Sequence, residues 1–552
     1  MLNGLEFRID SELGRRVASI LEEHRVSRTV ARIWERDSQV WTGADESKWL
    51  GWLEVIDREL LRFDVYREVA SVARRFDDVV LIGMGGSSLA ADVFANAFGK
   101  TRFHILDSIV PAQIASLERK IELAETLFIV ASKSGSTLEP ELLERYFSSK
   151  LTGENRGSHF IAVTDPDSKL HLLADERNFG ATVLGEKEIG GRFSALSPFG
   201  LVPAAAMGLD IGELLMRASL MQDACREEDP ERNPGAMLGL ILGAAHHVGR
   251  DKLTVITSPK LSVFGAWLEQ LIAESTGKNG KAIIPVDGEP ESEHYGRDRI
   301  FLILETAEEQ DAETLERHQN LIADGRSVIR IRMDSALDIG QEFFRWEFAT
   351  AVAGAVMNVN PFDQPDVESA KVEARRLTEA FESTGTLGSG EPFLSEGEIE
   401  IYGPEEYTAR LDGDSIGSIL KSHLANISEG DYFALLAYLD RSPGNIETLR
   451  SIRSAVLSSR GCATTLGFGP RFLHSTGQAY KGGPDSGVFL QITADDEFDL
   501  DIPDRGYSFS VAKDAQAFGD FEVLTRLGRR ALHIRIKGDV KAGLDRVLAS
   551  MK

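Results

Sequence analysis

The stretch LFIVASKSGSTLEP, residues 127–140, decides how this chain is read. An apolar run, Leu127 to Ala131, enters a turn where Ser132, Ser134, Ser136 and Thr137 crowd six positions; helix-forming residues follow. A short apolar run feeding a polar turn and a helix predicts a parallel-sheet strand buried on both faces. Ligands bind outside the carboxyl ends of such strands. The free N–H groups and the dipole at a helix start favour an anion there. Hydroxyls add donors without charge, which suits reversible binding of a phosphate dianion.

The pattern extends in both directions. Strands are expected at 79–82, 103–106, 160–164 and 183–184, and helices over 88–98 and from the serine turn through Phe147. A second turn, GMGGSS at 83–88, also follows a strand, and its glycines allow close backbone approach. It is neither the GxGxxG dinucleotide pattern nor a Walker A loop. Helix capping by Ser or Thr is the competing reading for either turn alone. Two such turns on neighbouring strands weigh against it.

The alternation restarts after residue 235. Strands are expected at 253–257, 282–286, 300–304 and 328–331, with helices over 263–274, 312–324 and 341–357. A third α/β stretch has strands at 433–439, 489–493 and 531–536 and helices over 446–459 and 540–551. The chain therefore divides into a helical N-terminal packing extension (1–60, with Trp34, Trp41, Trp49 and Trp52), α/β units at 61–215 and 216–380, a linker or surface excursion at 381–413, and a C-terminal α/β unit at 414–552. The length, 552 residues, fits several structural units.

Composition narrows the function. Apolar residues make up 42% and charged residues 27%, and no apolar run reaches the length of a membrane span. The start, MLNGLEFRID, lacks the features of a secretory signal, so a cytoplasmic protein is expected. The two cysteines, Cys225 and Cys462, form no CxxC or Cys/His cluster; neither a disulfide framework nor a metal is indicated. A net charge of −26 disfavours nucleic-acid binding.

Four further motifs join the two turns. They are EIGGRFSALSPFG (188–200), LEQLIAESTGKNGKAIIPV (268–286), PFDQPDVESAK (361–371) and FLHSTGQAYKGG (472–483). GMGGSS and SKSGST together resemble the sugar isomerase (SIS) fold. The two turns and the first three of these motifs together resemble the phosphoglucose isomerase family, in the family's order across residues 70–380, and FLHSTGQAYKGG resembles the segment that carries the histidine in bacterial members. The C-terminal region is similar to the isomerase half of bacterial transaldolase–phosphoglucose isomerase fusions. The resemblance implies an α/β architecture of two SIS-type, doubly wound and mainly parallel units plus a C-terminal α/β unit. It also implies interconversion of glucose 6-phosphate and fructose 6-phosphate through a cis-enediolate, in glycolysis and gluconeogenesis, with no cofactor.

By resemblance, Glu274 is the base that moves a proton between C1 and C2, and Arg192 stabilises the enediolate. Lys371 and His474 assist ring opening, and Glu139 orients the histidine. Gly86, Ser87, Ser132, Lys133 (through its backbone), Ser134, Thr137 and Gln364 contact the substrate. Those residue types fit the chemistry: a tunable carboxylate exchanges a carbon-bound proton, and a fixed cation stabilises the oxyanion. Alternatives are an isomerase of mannose or amino sugar phosphates and a non-catalytic sugar-phosphate-binding SIS protein.

Two departures stand out. The histidine normally precedes the FDQ signature; here His294 and His318 lack its surroundings, and His474 lies in the C-terminal unit. Asp366 stands where the signature usually has a small residue. The displacement leads to the expectation of a homodimer, or of a monomer whose C-terminal unit completes the site.

Overall fold

The computed structural model describes residues 1–153, 155–309, 311–388 and 390–551. Residue 389 of the 381–413 stretch and the terminal residue 552 therefore lie outside the described residues. Two compact units emerge. The first comprises residues 1–107, 117–285 and 300–363; the second comprises 108–116, 286–299 and 364–552. The division falls inside the FDQ signature, so Asp363 belongs to the first unit, and Gln364 and Lys371 to the second.

The first unit is built on two five-stranded sheets. One has the order Phe103–Leu106, Asp78–Gly83, Thr126–Ala131, Phe160–Thr164, Ala181–Leu184 and is parallel throughout. All six residues of Thr126–Ala131 are buried, as an apolar strand covered on both faces requires. The other has the order Gly4–Arg8, Val328–Met333, Arg299–Thr306, Lys252–Thr257, Ile284–Asp287. Its edge strand Gly4–Arg8 runs antiparallel to Val328–Met333. The N-terminal stretch, read as helical, thus also contributes a strand. That strand is mostly exposed, so it lacks the apolar alternation that marks a half-buried strand.

An aromatic core supports the segments that carry the site. Trp52 packs on Phe193 with ring centroids 5.4 Å apart, Phe193 on Phe362 at 5.1 Å, and Trp41 on Phe362 at 5.1 Å. Each such pair adds about 0.5–1.5 kcal/mol beyond its buried area. Phe193 and Phe362 adjoin Arg192 and Asp363 in the chain, so the core fixes both backbones.

The second unit holds a six-stranded sheet in the order Leu394–Glu396, Ile399–Tyr402, Arg530–Ile536, Gly487–Ala494, Tyr432–Tyr438, Ala463–Phe468. The last four strands are parallel to one another, and the first two are antiparallel additions. Part of the 381–413 stretch therefore belongs to this sheet. Its strands are three and four residues long, too short for a periodic signal beside so many glycines.

Candidate active site

The two polar turns lie side by side in the first unit. Gly83 and Ala131, the last residues of adjacent parallel strands, are in register, so both turns leave the same edge of the sheet. Gly85 and Gly135 take φ of +54° and +64°, values that favour glycine. Gly86 is required for a different reason. A Cβ there would meet the carbonyl oxygen of Gly191 at 2.0 Å. The GGSS turn thus rests directly against the turn Gly191–Phe193 that carries Arg192.

The hydroxyls of these turns do not cap the helices they precede. Neither Ser88, before Leu89–Ala97, nor Thr137, before Leu138–Lys150, makes a side-chain cap hydrogen bond. Instead Ser132 Oγ donates to Thr137 Oγ1 at 3.1 Å, and the Ser134 and Ser136 hydroxyls lie 2.8 Å apart. Ser87 and Ser132 are buried. The Lys133 ammonium is engaged by Asp165 Oδ2 at 2.6 Å and the Glu186 carbonyl at 2.7 Å, which leaves its backbone to shape the turn. Glu139 is buried in the first turn of Leu138–Lys150.

Arg192 and Glu274 meet in the interior of the same unit. Arg192 Nη1 stands 3.4 Å from Glu274 Oε1. The guanidinium is 3% exposed and held on all sides: Nε donates to Ser275 Oγ at 2.8 Å, and Nη2 donates to the carbonyls of Pro361 at 2.6 Å and Asp363 at 2.8 Å. Burial pulls its pKa below the ordinary value, while Glu274 and Asp363 act in the opposite sense. Glu274 lies on the helix Phe264–Thr276 and is 8% exposed; its Oε2 accepts from Gln270 Nε2, one turn earlier, at 3.1 Å. The carboxylate therefore has a cation on one oxygen and an amide donor on the other.

Local sequence explains how the anchors are placed. The helix Ile339–Met357 ends at Asn358 in the left-handed region, a common helix stop. Asn360 Oδ1 then accepts from the Phe362 N–H at 2.9 Å, turning the chain so that the Pro361 and Asp363 carbonyls face Arg192. After Gly277 ends the helix of Glu274, Asn279 and Gly280 take φ of +55° and +73° and close a two-residue turn between Lys278 and Lys281.

That turn buries a residue that sequence reasoning missed. Lys278 is 3% exposed; its ammonium donates to the carbonyls of Ser275, at 3.1 Å, and Asn360, and it pairs with Asp363 Oδ1 at 2.9 Å. A lysine just past a helix end, before Asn-Gly, was the available signal. Gln270, Ser275 and Asp363 were also missed; each was an ordinary polar residue until its neighbours were known.

The remaining candidates lie in the second unit. Gln364 is exposed. Lys371 projects from the helix Val367–Thr384, is half exposed, and has Glu368 Oε2 3.6 Å away. His474 ends the short helix Arg471–His474, which follows the strand Ala463–Phe468. Asp366 has a defined partner: its N–H donates to Gln478 Oε1 at 3.0 Å and its Oδ2 accepts from Gln478 Nε2 at 2.6 Å. Within this unit, the start of the Lys371 helix is thereby tied to the residue four positions after His474.

Residues 67–292 match the family model described as phosphoglucose isomerase. A glucose-6-phosphate isomerase of Thermus thermophilus is 30% identical, over 59% of this chain and 89% of its own length. One from Acaryochloris marina is 29% identical, over 63% of this chain and 75% of its own. Among solved structures, a hypothetical protein from Thermus thermophilus superposes with a TM-score of 0.57 at 26% identity, covering 67% of this chain and 99% of that one.

Proposed function

This chain belongs to the phosphoglucose isomerase family, and on that premise we propose that it interconverts glucose 6-phosphate and fructose 6-phosphate, a step of glycolysis and gluconeogenesis. The observation that carries the reading is the Arg192–Glu274 pair, a buried carboxylate facing a fully anchored guanidinium. Glu274 takes the proton from C2 of the open-chain aldose and returns it to C1, while the O2 hydroxyl proton passes to O1, so that C1 becomes an alcohol and C2 a ketone; the ketose runs the reverse. Between the two transfers the sugar is a cis-enediolate, and its oxyanion is stabilised by the Arg192 charge, which needs no reorganisation because protein groups already hold it. The 6-phosphate is received by the turns 83–88 and 132–137 through N–H and hydroxyl donors. The family resemblance assigns ring opening to Lys371 and His474, the orientation of the histidine to Glu139 and a substrate contact to Gln364.

The test is a coupled assay in which fructose 6-phosphate turnover is read as glucose 6-phosphate formed, with mannose 6-phosphate and glucosamine 6-phosphate as competing substrates. Preferred turnover of either competitor would replace the substrate assignment. Turnover of none would leave only the sugar-phosphate-binding reading. Replacing His474→Ala is expected to lower turnover by about 10²-fold, as for a lost general acid–base group. Unchanged turnover would remove the histidine assignment alone.

A further inference from the structure

Arg192 and Lys278 share their anchors. Arg192 binds the Ser275 hydroxyl and the Pro361 and Asp363 carbonyls. Lys278 binds the Ser275 carbonyl, the Asn360 carbonyl and the Asp363 carboxylate. Both cations thus bridge the same two pieces of chain, the end of the Glu274 helix and residues 360–363. A buried ammonium is costly unless its donors are filled and its charge is paired; here two carbonyls accept its hydrogen bonds and the Asp363 carboxylate pairs with its charge. Without the lysine, those buried carbonyls would lose a donor and residues 360–363 would lose a tie to the helix. Arg192 would then be held to a segment that is itself less firmly held.

We infer that Lys278 is a positioning residue for the isomerisation, clamping residues 360–363 to the end of the Glu274 helix so that the Arg192 guanidinium stays in place beside the base. The inference rests on the isomerase reading for its catalytic consequence, but the clamp itself does not depend on it. The phosphate turns bind none of the groups that Lys278 holds, so the effect falls on turnover rather than on substrate capture.

The ammonium faces Arg192 from the turn Gly191–Phe193, Asp363 from the segment after the long helix, and Glu274 from the helix that ends just before it; Lys281 lies across the tight turn. Burial and Arg192 lower its pKa to about 7, against the opposing pull of Asp363 and Glu274. Raising the pH through that value removes the charge that pairs with Asp363. The clamp therefore weakens on the alkaline side, and turnover should fall there. Arginine stays protonated over this range, so Lys278→Arg should move the alkaline limb upward.

The experiment compares the parent protein with Lys278→Met and Lys278→Arg. Lys278→Met is expected to lower kcat by about 30-fold or more, the scale for a misplaced catalytic group. The KM for fructose 6-phosphate and the inhibition constant of 6-phosphogluconate, a non-reacting competitor, should stay within about threefold, less than one lost hydrogen bond would give. Lys278→Arg should recover most of the turnover. Hydrogen–deuterium exchange at residues 359–364 should rise in Lys278→Met and not in Lys278→Arg, with the strand Tyr432–Tyr438 unchanged in both. If the methionine variant fails to fold, Lys278→Gln, which keeps a donor without the charge, takes its place.

A folded variant with parental kcat, equal losses in kcat and inhibitor affinity, or alkaline limbs that coincide in the parent and the arginine variant would each overturn the inference. The exchange measurement needs no substrate. If the parent turned over no sugar phosphate while the exchange contrast held, the clamp would stand and the isomerase reading would fall.

Discussion

The charged cluster around Glu274 and the two polar turns belong to the same unit but follow opposite designs. The cluster concentrates Arg192, Glu274, Lys278 and Asp363, three of them almost wholly buried, and fixes its cations with backbone carbonyls. The turns carry hydroxyls and backbone N–H groups, and the one lysine among them is drawn away by Asp165 and Glu186. Buried charge costs desolvation, so it is worth having where charge develops during a reaction. Neutral donors suit a phosphate that must arrive and leave at every turnover. The comparison separates chemistry from anchoring: the cluster should govern kcat and the turns KM.

The strongest test is Glu274→Gln, which keeps the shape and removes the carboxylate proposed as the base. Turnover should drop by about 10³-fold, within the range for a lost general base, with KM for fructose 6-phosphate little altered. Normal turnover would end the mechanism. Gly86→Ala comes next, because it sits where the two regions touch. Its methyl would press on the Gly191 carbonyl, a backbone atom that can move only with the turn of Arg192. The expected loss in kcat/KM is about 10²-fold, the scale for a displaced catalytic group, and it should combine a lower kcat with a higher KM. A change in KM alone would show that the turns and the cluster are not mechanically linked. Thr137→Ala should be the mildest. Loss of one hydroxyl should raise KM by about tenfold or less, the equivalent of one hydrogen bond, and leave kcat near the parental value. A fall in kcat without a change in KM would break the comparison.

What could be read from the chain varied with the range of the interaction. The strand at 127–131 and the turn after it were legible because an apolar run, a hydroxyl-rich turn and a helix start are neighbours in sequence. Glu274 and Arg192 stand out through motif resemblance, yet no local pattern implied the 3.4 Å between residues so far apart in the chain. Lys278 lies inside a motif without standing out in it, because its burial comes from Asn360 and Asp363, more than 80 positions away. The strand Ile399–Tyr402 escaped notice because its partner, Arg530–Ile536, is equally remote. Asp366 stands out in the chain only as a departure from the signature; its two hydrogen bonds with Gln478 come from a residue more than 100 positions away.

The α/β alternation and the polar turns at strand ends are legible in the chain alone, because apolar periodicity and turn chemistry act over a few residues. Which charges are buried, which carbonyls they hold, and that Lys278 and Arg192 both hold Ser275 and Asp363 follow from the packing of the folded chain. Desolvation and hydrogen-bond geometry depend on residues that meet only when distant segments pack.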